Sequence, residues 1–355
     1  MAQTTCKRSS ARIPAPVPAG SDGQVTLVMV ARAAGVSPST VSRILNGTAI
    51  VSDDKRRAVD DAVSRLGFIP NPVARGLAGG RTLSIGVITQ SLSSPFYGAA
   101  LMGIESELNN AGYSPLFVSG HWDAAREARC IDELKARRVD GIIVLTGRLS
   151  DESLRRCAQS MPTVITGRDL SADNLCSLKF DDQAGGLLAT RHLTELGHRR
   201  IAFISGAPGH PDAAERLRGY REGLKQAGLP YNARLVASGE FHEESGTWAA
   251  QSLLKSGERF SAIFAANDQM AFGALLALHR HGLTVPGDIS LIGFDDLPGS
   301  LYSTPSLTTI HQPAYELGTL SAGAMLSMLG GQCPSPQLPP PRLVVRDSSK
   351  AIARC

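Results

Sequence analysis

Long apolar runs are missing from this chain of 355 residues: nowhere do eighteen apolar side chains follow one another, which excludes a membrane-spanning helix. The first 24 residues, rich in Pro, Ser and Ala, also lack the continuous apolar stretch of a secretory leader. The sequence therefore predicts a chain that stays in the cytoplasm. Cysteine is sparse. Cys6, Cys130, Cys157, Cys176, Cys333 and Cys355 form no C-x-x-C and have no His at metal spacing, so free thiols are expected rather than a disulfide framework or a zinc site. Catalytic signatures are absent too. There is no G-x-S-x-G elbow and no H-E-x-x-H, and the glycine-rich GLAGGRT lacks the Lys and the spacing of a phosphate loop. His279 and His281, two apart on a helix, face roughly opposite ways and cannot share a metal ion. The reading is of a chain that is not an enzyme and carries no cofactor.

Charge of one sign is scarce overall, at +4, but it is unevenly placed. Between residues 25 and 81, Arg32, Arg43, Lys55, Arg56, Arg57, Arg65, Arg75 and Arg81 face only Asp53, Asp54, Asp60 and Asp61. That excess of four equals the charge of the whole chain. Residues 1–24 read as a disordered arm in which Lys7, Arg8 and Arg12 are solvated, contact with an anionic partner being the alternative.

The basic segment, residues 25–70, parses into three short helices. Thr26 can cap the first, which runs to about Ala34, where Gly35 ends it. In GVSPSTVSRILNG, Ser37 is a cap and Pro38 a first-turn residue that loses no hydrogen bond. Val41, Ile44 and Leu45 then share one face, and Pro38, Ser39, Ser42 and Arg43 lie on or beside the other. Two helices joined by so short a glycine turn form a helix-turn-helix. A third helix follows Ser52, with Ala58, Val59, Ala62, Val63 and Leu66 inward, and closes at Gly67. On this exposed face Arg43 suits a bidentate bond to guanine and Ser39 either base type. Ser37, Thr40, Asn46 and Ser52, near helix starts, suit phosphates. Thr26 and Pro38 complete the set expected at DNA.

Residues 71–82, with the weak helix VARGLA, read as a hinge and linker. From Leu83 the pattern becomes apolar strand, turn and amphipathic helix: LSIGVI, PLFVSG, GIIVLT, PTVITG, RIAFISG, RLVASG, AIFAAN and ISLIGF, with helices such as YGAALMGIESELNNAG and MAFGALLALHRHG between. Strands alternating with helices mean parallel sheets covered on both faces. Residues 83–349 hold too many strands for one sheet, so two similar doubly wound lobes are expected, with a small molecule between them at the carboxyl ends of the strands. Residues 350–355 form a tail.

VTLVMVARAAGVSPSTVSRILNG, VSDDKRRAVDDAVSRLGFIPNPVARGLAGGRT, AIFAANDQMAFGAL, VPGDISLIGFDD, PSLTTIHQP and LVVRDSS together resemble the lactose-repressor/galactose-repressor (LacI/GalR) family of bacterial transcription regulators, in order from Val25 to Ser349. The resemblance implies a small all-α helix-turn-helix DNA-binding domain joined to an α/β core of two parallel-sheet lobes, like the periplasmic sugar-binding proteins. It implies a homodimer on pseudo-palindromic double-stranded operator DNA, acting as a repressor and controlled by a small polar effector, most simply a sugar or sugar acid. A corepressor-type response, or a ligand-binding protein without DNA function, are the alternatives.

By the same resemblance, VARGLA matches a hinge helix that orders on operator DNA, with Asn71, Ala74 and Leu77 at the DNA and Leu77 wedged into the minor groove; Gly76 weakens such a helix. Phe96, Arg216, Phe241, Asn267 and Asp295 carry over to the effector cleft. Arg216 is expected to touch ligand rather than bridge helices, Asp268 to cap the helix after it, and Asp296 to be structural. His210 and Asp212 lie in GAPGHPDAAER, a loop where members differ in ligand choice, and are added as effector candidates; the ligand's identity stays open. Where the family has an acid, Met29 stands three residues after the Thr26 cap, so the capping box is incomplete.

Overall fold

Thr26 accepts a hydrogen bond from the Met29 amide (3.4 Å) and so opens α1, Leu27–Ala33. The computed structural model describes residues 25–45, 51–68 and 81–352. Gly35, at φ +66°, turns the chain toward α2, Pro38–Leu45, whose first turn is capped by Ser37 Oγ accepting from the Thr40 amide at 3.2 Å. α3, Asp53–Leu66, ends in left-handed Gly67. These helices bury Val30, Ala31, Val41, Ile44, Val59 and Ala62 in one small core, with Leu45, Val63 and Leu66 packed half-buried against it. The helices and the inward residues read from the sequence are therefore present, except that Ala58 is half-buried outside this cluster. The expected hinge residues Asn71, Ala74 and Leu77, and Asn46, lie outside the described residues.

The chain divides into two units, Met1–Thr82 and Leu83–Cys355. The second contains two sheets. In lobe 1, β1 (Ser84–Thr89), β2 (Ser114–Ser119), β3 (Gly141–Val144), β4 (Thr163–Thr166) and β5 (Leu175–Leu178) lie parallel in the order β2-β1-β3-β4-β5. In lobe 2, β6 (Ile201–Ser205), β7 (Val236–Ser238), β8 (Ala262–Ala265), β9 (Ser290–Asp295), β10 (Thr308–His311) and β11 (Arg342–Val344) are ordered β11-β10-β9-β8-β6-β7. Only β11 runs antiparallel, on an edge. Eight of these strands correspond to the quoted apolar runs. β5 (LCSL), β10 (TTIH) and β11 (RLV) are additional, and each carries polar or charged residues that keep it from reading as an apolar run.

Central strands are buried on both faces, as covered parallel sheets require. Along β1, Val87 packs with α4 (Pro95–Asn110) and Ile88 with α5 (Ala124–Ala136) and α6 (Asp151–Ser160). Lobe 2 carries α7 (Asp182–Glu195), α8 (Pro211–Gln226), α9 (Glu243–Lys255), α10 (Asp268–Arg280) and the short α11 (Gly299–Tyr302). The last helix, α12 (Ala314–Leu329), returns to lobe 1 and packs on α4, β3 and β4, so the chain crosses between lobes rather than finishing one before the other. At the α7–α8 crossing, a Cβ on Gly186 would collide with the Arg216 backbone and one on Gly219 with that of Gln183. This close approach sets Asp182 of α7 beside Arg216 of α8.

One expected cap is corrected. Asn267, not Asp268, caps α10: its Oδ1 accepts from the Met270 amide at 2.9 Å. Asp268 is fully buried and accepts instead from the Leu297 amide and the Ser300 and Thr309 hydroxyls, tying α10 to β10 and to the loop after β9. Burial pushes its carboxyl up to about 6. Asp296 holds His311 Nδ1 (2.8 Å) and Arg346 (2.7 Å), a structural role as expected. Among the described residues no helix is long and apolar enough to cross a membrane, and no cluster of His, Cys, Asp or Glu is arranged to hold a metal ion. Cys130, Cys157, Cys176 and Cys333 are free thiols.

Candidate functional site

With the apolar side of α2 turned inward, Ser37, Pro38, Ser39 and Arg43 are left exposed and Thr40 half-exposed. The first turn is ordered by its own hydroxyls: Ser37 Oγ lies 2.8 Å from both Ser39 Oγ and Thr40 Oγ1. Ser52, exposed at the start of α3, makes no side-chain cap bond there. Thr26 is likewise exposed at the start of α1. This unit presents a polar face carrying a guanidinium.

The second candidate site is a cleft of about 260 Å³ between the lobes of the core. Phe96 and Tyr97 come from the first turn of α4, after β1, and Trp122 from the loop after β2. His210, Asp212 and Arg216 follow β6, Phe241 follows β7, Asn267 follows β8 and Asp295 ends β9. Strand order reverses between β1 and β3 and between β6 and β8, so the cleft lies where doubly wound sheets leave a crevice at their carboxyl ends. All seven cleft residues expected from the sequence line it.

Arg216 is its electrostatic centre. Only 4% exposed, it donates from Nε to Asp182 (2.8 Å), from Nη1 to the Ala266 carbonyl (2.5 Å) and from Nη2 to Gln312 (2.9 Å), with Asp295 3.5 Å from Nη1. Its guanidinium lies 3.8 Å over the Phe294 ring. Burial works against its charge, but Asp182, Asp295 and Asp212 outweigh burial and hold its pKa above the usual value. The carboxylates absorb the conflict: burial pushes Asp182 up to about 7 and Asp295 well up, each against the pull of Arg216. The expectation set ligand contact against bridging helices. The geometry combines a place in the cleft wall with a bridge from α8 to α7.

Three lining residues adopt left-handed backbone: Trp122 (φ 57°), Phe241 (φ 64°) and Asp295 (φ 114°). Such conformations cost about 1–3 kcal/mol each and persist only where the surroundings enforce them. Here Gln90 Oε1 accepts from the Trp122 amide (2.8 Å), Asn267 Nδ2 donates to the Phe241 carbonyl (3.0 Å), and the Gln312 amide donates to the Asp295 carbonyl (3.2 Å). Asn267 therefore fixes an aromatic wall as well as capping α10.

Aromatic side chains span both lobes. His210 packs between Trp122 and Phe241 at ring-centroid distances of 4.2 and 4.6 Å, and Tyr97 lies 5.5 Å from Phe96 and 6.2 Å from Trp122. The His210 Nδ1 atom is buried without a hydrogen-bond partner. Burial, reinforced by Arg216 and Arg148, pushes its pKa down to about 3 and keeps the imidazole neutral. Burial raises Asp212 to about 6 against the pull of Arg216. At the rim, exposed Arg148 donates to the Pro208 carbonyl of the other lobe (3.3 Å). Its loop is held by buried Glu127, which accepts from the Arg148 and Leu149 amides at 2.9–3.0 Å.

Trp122, Tyr97, Glu240, His242 and Gln269 line the cleft but were not picked out from the sequence. The available signal was positional, since each lies in a loop, or the first turn of a helix, just beyond a strand's carboxyl end.

Comparison with known proteins gives matches over both units. A model described as bacterial regulatory proteins, lacI family, matches residues 26–71, and one described as a periplasmic binding protein-like domain matches residues 190–349. The transcriptional regulator GalR of Escherichia coli K12 is 37% identical over 315 residues, covering 88% of this chain and 91% of that protein. Catabolite control protein A of Priestia megaterium is 34% identical over 299 residues, covering 84% and 90%. Among solved structures, the lac repressor dimer bound to operator and the anti-inducer ONPF aligns with a TM-score of 0.84 at 33% identity, over 92% of this chain and all of that one. The complex of the regulator CelR with cellobiose aligns with a TM-score of 0.69 at 32% identity, with the same coverage.

Proposed function

The chain belongs to the lacI family of bacterial transcription regulators, and from that premise we propose that it is a repressor whose α2 reads operator DNA and whose cleft binds a carbohydrate that changes operator affinity. The observation that carries the effector half is the convergence of Phe96, His210, Asp212, Arg216, Phe241, Asn267 and Asp295, from five separate stretches of chain, on one cleft. Aromatic faces cover the apolar side of a sugar ring, and carboxylates, an amide and a guanidinium suit its hydroxyls. On the DNA side, exposed Arg43 and Ser39 are assigned to base edges, and Thr26, Ser37, Pro38, Thr40 and Ser52 to the backbone or its immediate surroundings. Asn46, Asn71, Ala74 and Leu77 are assigned to DNA on sequence alone. We ascribe no catalysis to the chain and place its action in the cytoplasm, where chromosomal DNA is.

A homodimer is part of this reading, because a pseudo-palindrome is met by two-fold symmetry. Trp248 on α9 and Leu276 on α10 are 54% and 43% exposed, large apolar groups on adjacent helices that a second copy would cover. The test selects bound DNA fragments with the full-length protein, then measures their affinity with and without neutral sugars while sedimentation reads the assembly. A sugar-dependent change in affinity of a dimer is expected. Binding that no sugar alters would remove the carbohydrate from the proposal, and failure to select any DNA would remove the operator.

A further inference from the structure

We infer that the cleft selects an uncharged polyhydroxylated ring and rejects the phosphorylated or carboxylated counterpart of the same ring, with Asp212 and His210 as the discriminating pair. The inference rests on the carbohydrate reading above and narrows it from sugar or sugar acid to neutral sugar.

Asp212 sits in the first turn of the sixteen-residue α8, where backbone N–H groups and the helix dipole would otherwise favour an anionic ligand. The helix supplies its own carboxylate at that place. The one polar contact of that carboxylate is His210 Nδ1 at 4.0 Å, too long for a hydrogen bond, and Nδ1 itself has no partner although the residue is 94% buried. A carboxylate beside a neutral imidazole therefore faces the cleft with unmet capacity. A carboxylate only accepts, and a neutral imidazole accepts at one nitrogen and donates at the other, so a hydroxyl that both donates and accepts satisfies the pair. A phosphate dianion or a second carboxylate brings acceptors to an acceptor and like charge to like charge.

The cations that could offset such a charge are engaged elsewhere or lie outside the lining. Arg216, the arginine in the cleft wall, is committed to Asp182, Asp295, Gln312 and the Ala266 carbonyl. Arg168 donates to the Gly147 and Leu149 carbonyls and to Asp151, and Arg148 donates across the rim to Pro208. Lys179 is exposed and outside the lining, and His242 lies 3.4 Å from Glu240 at the cleft edge. Amide donors are engaged too: Gln269 donates to Glu243, and Asn267 to the Phe241 carbonyl. An anion would meet Asp212, Asp295 and Glu240, with the neutral hydroxyls of Ser91, Ser93, Ser94 and Tyr97 as donors in place of an uncommitted cation, whereas the C–H face of a neutral ring fits the Phe96, Trp122 and Phe241 surfaces.

The test is a titration of the full chain by calorimetry, with thermal melting alongside, against neutral aldopentoses, aldohexoses and disaccharides, each compared with the matching 5- or 6-phosphate or uronic acid. A neutral sugar should bind about 100-fold or more tightly than its anionic counterpart. Asp212→Asn, which keeps an acceptor and removes the charge, should shrink that ratio about tenfold, with its melt confirming a folded core. An anionic sugar binding as tightly as its neutral partner overturns the inference and leaves the carbohydrate reading standing. An unchanged ratio in Asp212→Asn overturns the assignment to Asp212. If no member of either series binds, the carbohydrate reading falls and the inference falls with it.

Discussion

Arg43 and Arg216 both project from helices, and they stand at opposite ends of what an arginine can do. Arg43 is exposed on α2, whose packing is set by residues no further away than positions 25–68. Arg216 is 4% exposed, and its partners come from positions 182, 266, 295 and 312, brought together only when lobe 2 is complete. In the helical unit the groups suited to a partner can be changed without touching the core. In the cleft, the group that would meet the ligand also holds two helices and three strand ends together. Function and stability are separable in the first region and merged in the second.

Arg216→Ala is the strongest way to break that contrast. Removing one partner of a buried ion pair leaves Asp182 and Asp295 uncompensated, and such changes cost about 3–5 kcal/mol. Urea unfolding of the core should show a loss of that order, and ligand binding should vanish with it. If the variant kept wild-type stability and lost only ligand binding, Arg216 would be as separable as Arg43.

A second effect comes from the titration of Asp212. Burial raises its folded-state pKa to about 6, so its contribution to folding is fully present below the unfolded value near 4 and is lost as pH rises through 6. Asp212→Asn does not titrate and should gain on the wild type across that window. A shift of about two units caps the gain at about 3 kcal/mol, and the residual 15% exposure of the Asp212 side chain lowers it toward 1. Melting of both proteins at pH 4.5 and pH 7.5 measures it; a difference that does not grow with pH would mean that Asp212 is better compensated than its surroundings indicate.

The same contrast explains what could be read from the sequence. Ser37, Pro38 and Gly35 mark α2 because caps and turns act within a few residues, so the three helices and their inward faces follow directly. Eight strands are legible for a similar reason, because each lies within a local apolar run. β5 (LCSL), β10 (TTIH) and β11 (RLV) are not, because polar or charged residues interrupt them and their pairing with neighbouring strands, not an apolar run, defines them. Resemblance supplied Arg216 and Asp295, but no local pattern shows that their charges are mutually engaged. Asn267 and Asp268 are adjacent and both able to cap; the choice between them depends on Ser300 and Thr309, more than thirty residues away, which claim Asp268. Trp122 is set by Gln90 and by the loop geometry beyond β2, neither of which has a sequence signature.

On the separable side, Arg43→Ala should leave the melt within about 0.5 kcal/mol of wild type while costing about 1–3 kcal/mol in operator affinity, the worth of one bidentate base contact. Fluorescence anisotropy at fixed salt, on a selected site and on unrelated DNA, separates base reading from phosphate attraction. Equal losses on both DNAs would move Arg43 from base reading to the backbone.

The smallest effect sharpens the contrast most, because stability and binding should move in opposite directions. Thr26 caps α1 through the Met29 amide, and α1 has no acidic residue in its first turn. Met29 is half-buried but outside the apolar cluster of the three helices, so replacing it removes little packing. Met29→Glu would complete the capping box, with its carboxylate reaching back to the Thr26 amide, and would place a negative charge at the positive end of the helix. Such a charge is worth about 0.3–1 kcal/mol, so amide exchange along Leu27–Ala33 in the full chain should slow about twofold to fivefold. The same charge lies beside the hydroxyl assigned to the DNA backbone and repels phosphates, so operator affinity should fall, most at low salt where screening is weak. Slower exchange with weaker, salt-sensitive binding would establish that this helix start gives up stability to keep its surface free of negative charge; slower exchange with unchanged binding would place the start of α1 away from the phosphates.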